Sequence, residues 1–176
     1  PQELDFLLTR EGDPHEETEF WNMFAEADSF GSLIRPDPDV TARLSRHLET
    51  LEVEGDMLKA DALERADRVV AQAKYLKQRY TVVVANPPYM GTRNMGDALR
   101  QWALREYPKS AGDLCAMFVD RSLELVQNRG LSALVVSESW LFNSTYADMR
   151  VDIVQRARPL VTVCIDKSAF GVRLNT

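Results

Sequence analysis

Four consecutive residues, Asn86-Pro87-Pro88-Tyr89, are the part of this chain best suited to chemistry. They follow a β-branched run, Tyr80 to Ala85 (YTVVVA), whose unbroken apolar character reads as a strand buried on both faces of a parallel sheet. In open α/β sheets ligands bind beyond the carboxyl ends of the strands, which is where the tetrapeptide falls. Pro87 and Pro88 fix φ and remove two backbone donors, so the carbonyls of Asn86 and Pro87 point in set directions with no local N–H to absorb them. The Asn86 side-chain oxygen and the Pro87 carbonyl then suit the two hydrogens of an exocyclic amino group. Accepting both draws the nitrogen lone pair out of conjugation and readies it for attack on an electrophilic methyl. Tyr89 adds a flat face on which a planar base or amide can stack. A plain turn, with prolines that only end strand pairing, would account for an Asn-Pro pair alone. The whole tetrapeptide behind a valine-rich strand favours chemistry.

The elements around it set the fold class. After the loop, Asp97 to Glu106 reads as a helix, and Asp113 is a good N-cap for a second helix reaching Gln127, with Asn128 and Gly130 as stop signals. Leu131 to Ser137 reads as the next buried strand, Thr145 to Arg156 as another helix, and Leu160 to Ile165 as a third strand. This alternation predicts an α/β fold with about three parallel strands and flanking helices, joined by right-handed crossovers. Upstream the period is helical. Between Glu11 and Asp28 seven acidic residues and no Lys or Arg accompany Phe20, Trp21 and Phe24, which reads as an amphipathic helix with a solvated acidic face. Asp39 can cap a helix through Val40, Leu44, Leu48 and Leu51, and a longer helix follows Gly55. The two make a helical hairpin, with His47 exposed rather than catalytic. The expected organisation is a helical segment over 1–79 and an α/β unit over 80–176.

Composition narrows the function classes. At 176 residues, 45% hydrophobic and 27% charged, the chain is of ordinary single-domain size and globular character. Its apolar runs are strand-sized, below the ~18 residues of a membrane span, so the expectation is a soluble protein without a membrane partner; the cysteine usage fits a reducing cytoplasm. Net charge −6 excludes a general electrostatic attraction to phosphate backbones. Local attraction is still open: between Thr81 and Gly112, Arg93, Arg100, Arg105 and Lys109 outnumber Asp97 and Glu106, as a positive rim or as an ordinary solvated helix face. Cys115 and Cys164 lack CxxC or Cys/His spacing, so neither a disulfide framework nor a metal site is expected.

The tetrapeptide resembles the NPPY signature of S-adenosylmethionine-dependent amino-methyltransferases that act on adenine in DNA. The likeness extends to Phe24–Ile34 (FAEADSFGSLI), Tyr80–Gly91 (YTVVVANPPYMG) with Asn94-Met95, Asp113–Phe118 (DLCAMF) and Ser137–Phe142 (SESWLF). Together these resemble the PglX-type N6-adenine methylases of BREX phage-defence systems, over about Phe20 to Gly171. The resemblance implies a partial Rossmann-like methyltransferase sheet, an adenine flipped out of double-stranded DNA, and S-adenosylmethionine as methyl donor. It implies that Asn86, Pro87, Pro88 and Tyr89 form the catalytic loop, that Asp113, Leu114 and Phe118 line the cofactor pocket, and that Trp140 and Phe142 wall the base pocket beside Tyr89. Asp113 reads equally as an N-cap, and Phe118 and Trp140 as core.

The likeness has gaps. Gly12, Gly31 and Gly55 are isolated, and none follows a buried strand to open a helix, so the glycine-rich cofactor loop and the acidic ribose ligand are not found. In the family these lie upstream and target recognition lies downstream, so the chain reads as the catalytic-loop half of a longer enzyme, inactive alone. The Tyr80 strand is then expected to expose an edge through which chains associate, and other defence-system proteins are possible partners. Two other readings stay open: methylation of a protein glutamine amide, which presents a similar planar NH₂, and a non-catalytic assembly module.

Overall fold

The computed structural model describes residues 6–10, 12–52 and 56–165. They divide into two compact units: one runs to Val83 and takes in Leu125–Leu131, and the other comprises Val84–Glu124 with the residues from Ser132 on.

The first unit is mainly helical: α1 Pro14–Ala25, the short α2 Ala27–Phe30, α3 Pro38–Leu48 and α4 Met57–Lys77. Each of the three long helices opens on an aspartate that accepts backbone N–H groups of the first turn, Asp13 for α1, Asp37 for α3 and Asp56 for α4. The cap of α3 is thus Asp37 and not Asp39, because Pro38 occupies the first helical turn, where a missing N–H costs nothing. α3 packs on α4 and α1 on α3, and Leu44 and Leu48 of α3 and Val70 and Ala73 of α4 are buried. The acidic face of α1 is interrupted. Glu17 is fully buried, pairs with Arg43 Nε at 2.8 Å and accepts from Thr9 N at 2.6 Å. His47 is half-buried, its Nε2 2.9 Å from the Phe6 carbonyl.

The sheet has two strands among the described residues, β1 Tyr80–Ala85 and β2 Val126–Leu134. They run parallel: Gly130 lies against the Thr81 carbonyl, and further along both chains Val135 N donates to Ala85 O at 3.1 Å. Three expectations change here. β1 is not buried on both faces, since Val82 and Val84 are 55% and 74% exposed. β2 begins at Val126 rather than Leu131, because the preceding helix ends at Leu125 and the chain bends at Arg129, which has φ of +66°. At Gly130 a Cβ would come within 2.7 Å of both the Thr81 carbonyl and the Val126 side chain, so glycine lets the strands approach. Finally, no strand forms over residues 160–165. Leu160, Val161, Val163 and Ile165 are exposed, and a β-branched run without a neighbouring ladder leaves its backbone groups to water.

In the second unit, α5 Asp97–Glu106, α6 Leu114–Leu125, the short α7 Ser139–Phe142 and α8 Ala147–Arg156 follow or flank the strand ends. α6 is central: Leu114, Cys115, Ala116, Met117, Val119, Arg121 and Ser122 are all buried. Ala116 and Val119 join Tyr146, Met149 and Ile153 in one apolar cluster, against which Leu123, Val136 and Trp140 pack. No helix among the described residues is long and apolar enough to cross a membrane.

Candidate active site

β1 delivers its last residue, Ala85, directly into Asn86. Pro87 is buried and anchors the loop, while Asn86, Pro88 and Tyr89 are exposed. Tyr89 as a residue is 44% exposed. Its hydroxyl lies 3.3 Å from Asn86 Oδ1 and 3.2 Å from the Val135 carbonyl. One proton is shared between two long contacts, so the Asn86 oxygen keeps acceptor capacity for an incoming N–H.

Three separated stretches of sequence converge on this loop. The Asp113 Oδ1 accepts from Met90 N at 3.3 Å and from Cys115 N at 2.9 Å. Leu114 N donates to Met90 O at 3.0 Å, Thr92 N donates to Gly112 O at 3.2 Å, and Gly91 pairs with Asp113 as an antiparallel bridge. The Ser137 amide reaches the Cys115 thiol, and Tyr89 is tied to Val135. NPPYMG, DLCAMF and SESWLF are therefore neighbours at one end of β1 and β2.

The electrostatics of the floor follow from its dryness. Burial pushes the Cys115 thiol up from 9.0 to about 12, with Asp113 adding to the rise, so it is an unreactive thiol at neutral pH. Burial likewise lifts Tyr146 from 10.0 to about 12, and the charge of Asp113 contributes. Tyr89 is raised for the same first reason, burial, and remains a neutral hydroxyl.

The other expected site residues are placed unevenly. Leu114 is buried and Phe118 half-buried on α6. Trp140 packs on the Tyr146–Met149–Ile153 cluster, and its buried Nε1 has no hydrogen-bond partner among the described residues, while Phe142 is 75% exposed. The positive rim is largely consumed internally: Arg100 pairs with Asp97, Arg105 with Glu106 and Lys109 with Asp152. Arg93 makes no ion pair among the described residues. Sequence reasoning missed Tyr146 and the cramped Gly112. A Cβ there would lie 2.5 Å from the Tyr146 hydroxyl, and the Gly112-Asp113 pair before a helix was the available signal. Among the described residues no group of His, Cys, Asp or Glu is clustered to hold a metal.

A parallel strand pair flanked by helices, with a double-proline loop at its carboxyl end, is consistent with an α/β methyltransferase fold. Over residues 13–170 the chain matches the Eco57I restriction-modification methylase family, and it belongs to that family. It is 36% identical over 152 residues to the adenine-specific methyltransferase BrxX of Escherichia coli O9:H4 (strain HS), and 34% identical over 82 residues to the adenine-specific methyltransferase PglX of Lacticaseibacillus casei (strain Zhang). These matches take in 85% and 47% of this chain, but only 13% and 7% of the two relatives.

Proposed function

We propose that this chain is the amino-group-binding part of a cytoplasmic DNA adenine N6-methyltransferase of restriction-modification or BREX type, using S-adenosylmethionine. The observation that carries the reading is the loop at the end of β1, where Asn86 Oδ1 retains acceptor capacity beside a half-exposed Tyr89. In the reaction, Asn86 Oδ1 and the Pro87 carbonyl accept the two N–H hydrogens of an adenine extruded from double-stranded DNA, and Tyr89 stacks on the ring. Phe142, exposed on α7, and Trp140, packed on the Tyr146–Met149–Ile153 cluster, supply further apolar wall. Holding the amino group in this way raises the nucleophilicity of its nitrogen, and no separate base is required before attack. When bound, the cofactor supplies an electrophilic methyl.

Asp113, Leu114 and Phe118 border the pocket for that cofactor in this reading and do not complete it by themselves. One Asp113 oxygen already serves two amides, Leu114 is buried and Phe118 is apolar. The organisation proposed is a helical segment over 1–79 and the catalytic-loop half of a Rossmann-like domain over 80–176, with residues 160–165 as its third strand once a neighbouring ladder is present.

DNA from two strains differing only in the intact gene tests the reading. N6-methyladenine at a defined sequence in the gene-bearing strain alone is the expected result. Unaltered adenine together with a methylated glutamine in a cellular protein would transfer the same loop chemistry to a protein amide.

A further inference from the structure

We propose that Asp113 is a positioning residue for the acceptor loop: its carboxylate clasps the chain immediately after Tyr89 and so fixes the direction in which Asn86 and Tyr89 face. The inference rests on the reading of Asn86 to Tyr89 as the amino-group site, and it gives Asp113 a task besides bordering a cofactor pocket.

The backbone of the loop explains why a clasp is needed. Pro87 and Pro88 have no N–H, so the tetrapeptide lacks two of the donors with which a loop ordinarily ties itself down. The nearest anchor downstream is Met90, and both its polar backbone groups are taken from one place. Its N–H goes to Asp113 Oδ1 and its carbonyl accepts from Leu114 N. The same Asp113 oxygen accepts from Cys115 N in the first turn of α6, so one atom joins the loop to the most buried helix of the unit. The Gly91–Asp113 bridge and Thr92 N to Gly112 O continue the seam downstream of Met90.

The clasp is itself set from below. Gly112 lies against Tyr146, a residue 5% exposed in the main apolar cluster, and any Cβ at 112 meets the Tyr146 hydroxyl at 2.5 Å and ring atoms at 3.0 and 3.2 Å. The chain of positioning therefore runs from the core through Tyr146 and Gly112 to Asp113, then to Met90 and the reactive loop. A neutral amide at 113 keeps an acceptor oxygen for the two N–H groups, whereas a methyl keeps none.

The test uses the intact protein that contains this chain, with kcat and KM for S-adenosylmethionine measured beside thermal unfolding. Asp113→Ala should lower kcat about 100-fold, as expected for a displaced reacting group, and leave KM for S-adenosylmethionine within about twofold. Asp113→Asn should recover most of the loss. Gly112→Ala should lower kcat, and adding Tyr146→Phe should restore part of it, which keeps the test alive if Asp113→Ala fails to fold. A raised KM for S-adenosylmethionine with kcat intact would overturn the proposal in favour of a cofactor ligand, and unchanged kinetics in a folded Asp113→Ala protein would overturn it outright. Hydrogen exchange at Met90 separates the two possible failures. Protection lost in Asp113→Ala and largely kept in Asp113→Asn supports the clasp even if the wild-type protein methylates no adenine, while protection unchanged in Asp113→Ala overturns it.

Discussion

At the scale of single residues, the site is a contrast between a wet upper rim and a dry floor. Asn86 and Tyr89 meet solvent, while Cys115 and Tyr146 lie beneath them with their ionisation pushed up to about 12. The sign of the resulting pH dependence follows from proton counting. In the unfolded chain the thiol loses its proton near 9.0, whereas in the folded chain it keeps it until about 12, so between these values the unfolded state binds fewer protons and is favoured as pH rises. Stability should therefore fall from about pH 9 towards pH 12, with Tyr146 adding to the slope above pH 10. Urea unfolding of the wild type and Cys115→Ala across that range checks this: the variant should show a shallower alkaline decline. An identical slope would remove Cys115 as its source.

At the scale of elements, local chemistry sets the helix starts, although α3 opens at Asp37 rather than at the expected Asp39. Asp13, Asp37 and Asp56 open α1, α3 and α4 because an aspartate can satisfy first-turn N–H groups without help from the rest of the fold. Long-range choices left weaker traces. The burial of Glu17 depends on Arg43, twenty-six residues away, and on Thr9, and no local pattern in an acidic stretch distinguishes it from Glu16 or Glu19. Removing Arg43 would leave a buried carboxylate without its counter-charge. Arg43→Ala should lower stability by about 3 kcal/mol, measured as a reduced urea midpoint, and Glu16→Ala on the exposed side by well under 1 kcal/mol.

The strands show the same division. Tyr80 to Ala85 was legible from its β-branched residues and the proline stop after it, but which of its faces is covered depends on what packs there, and Val82 and Val84 are exposed. Leu160 to Ile165 has the composition of a strand and pairs with nothing among the described residues, because composition cannot supply a partner ladder. The site divides likewise. Asn86 to Tyr89 could be read directly, since the prolines act on their own neighbours, and the cap at Asp113 could be read from the helix it opens. That the same carboxylate reaches back to Met90, twenty-three residues earlier, required the fold.

At the scale of the whole molecule, the chain spans 13% of one curated relative and 7% of another, and β1 has β2 as its neighbour on one side. Strands carrying exposed valines and an open ladder associate readily. Light scattering of the 176-residue chain should therefore show a dimer or larger assembly, lost when Val84→Lys places a charge on the exposed face, and a monomer at moderate concentration would contradict this. The same chain alone should turn over no substrate if, as proposed, its residues supply the amino-group side of a site whose cofactor side they do not complete.

The most direct test of the central claim is the single-turnover rate of methyl transfer to adenine in duplex DNA by the intact protein and its Asn86→Ala variant. Loss of one preorganised acceptor should cut that rate by about 100-fold or more while the folded fraction is unchanged. A variant that transfers methyl at the wild-type rate would show that the amino group is held elsewhere, and the account of this loop would be wrong.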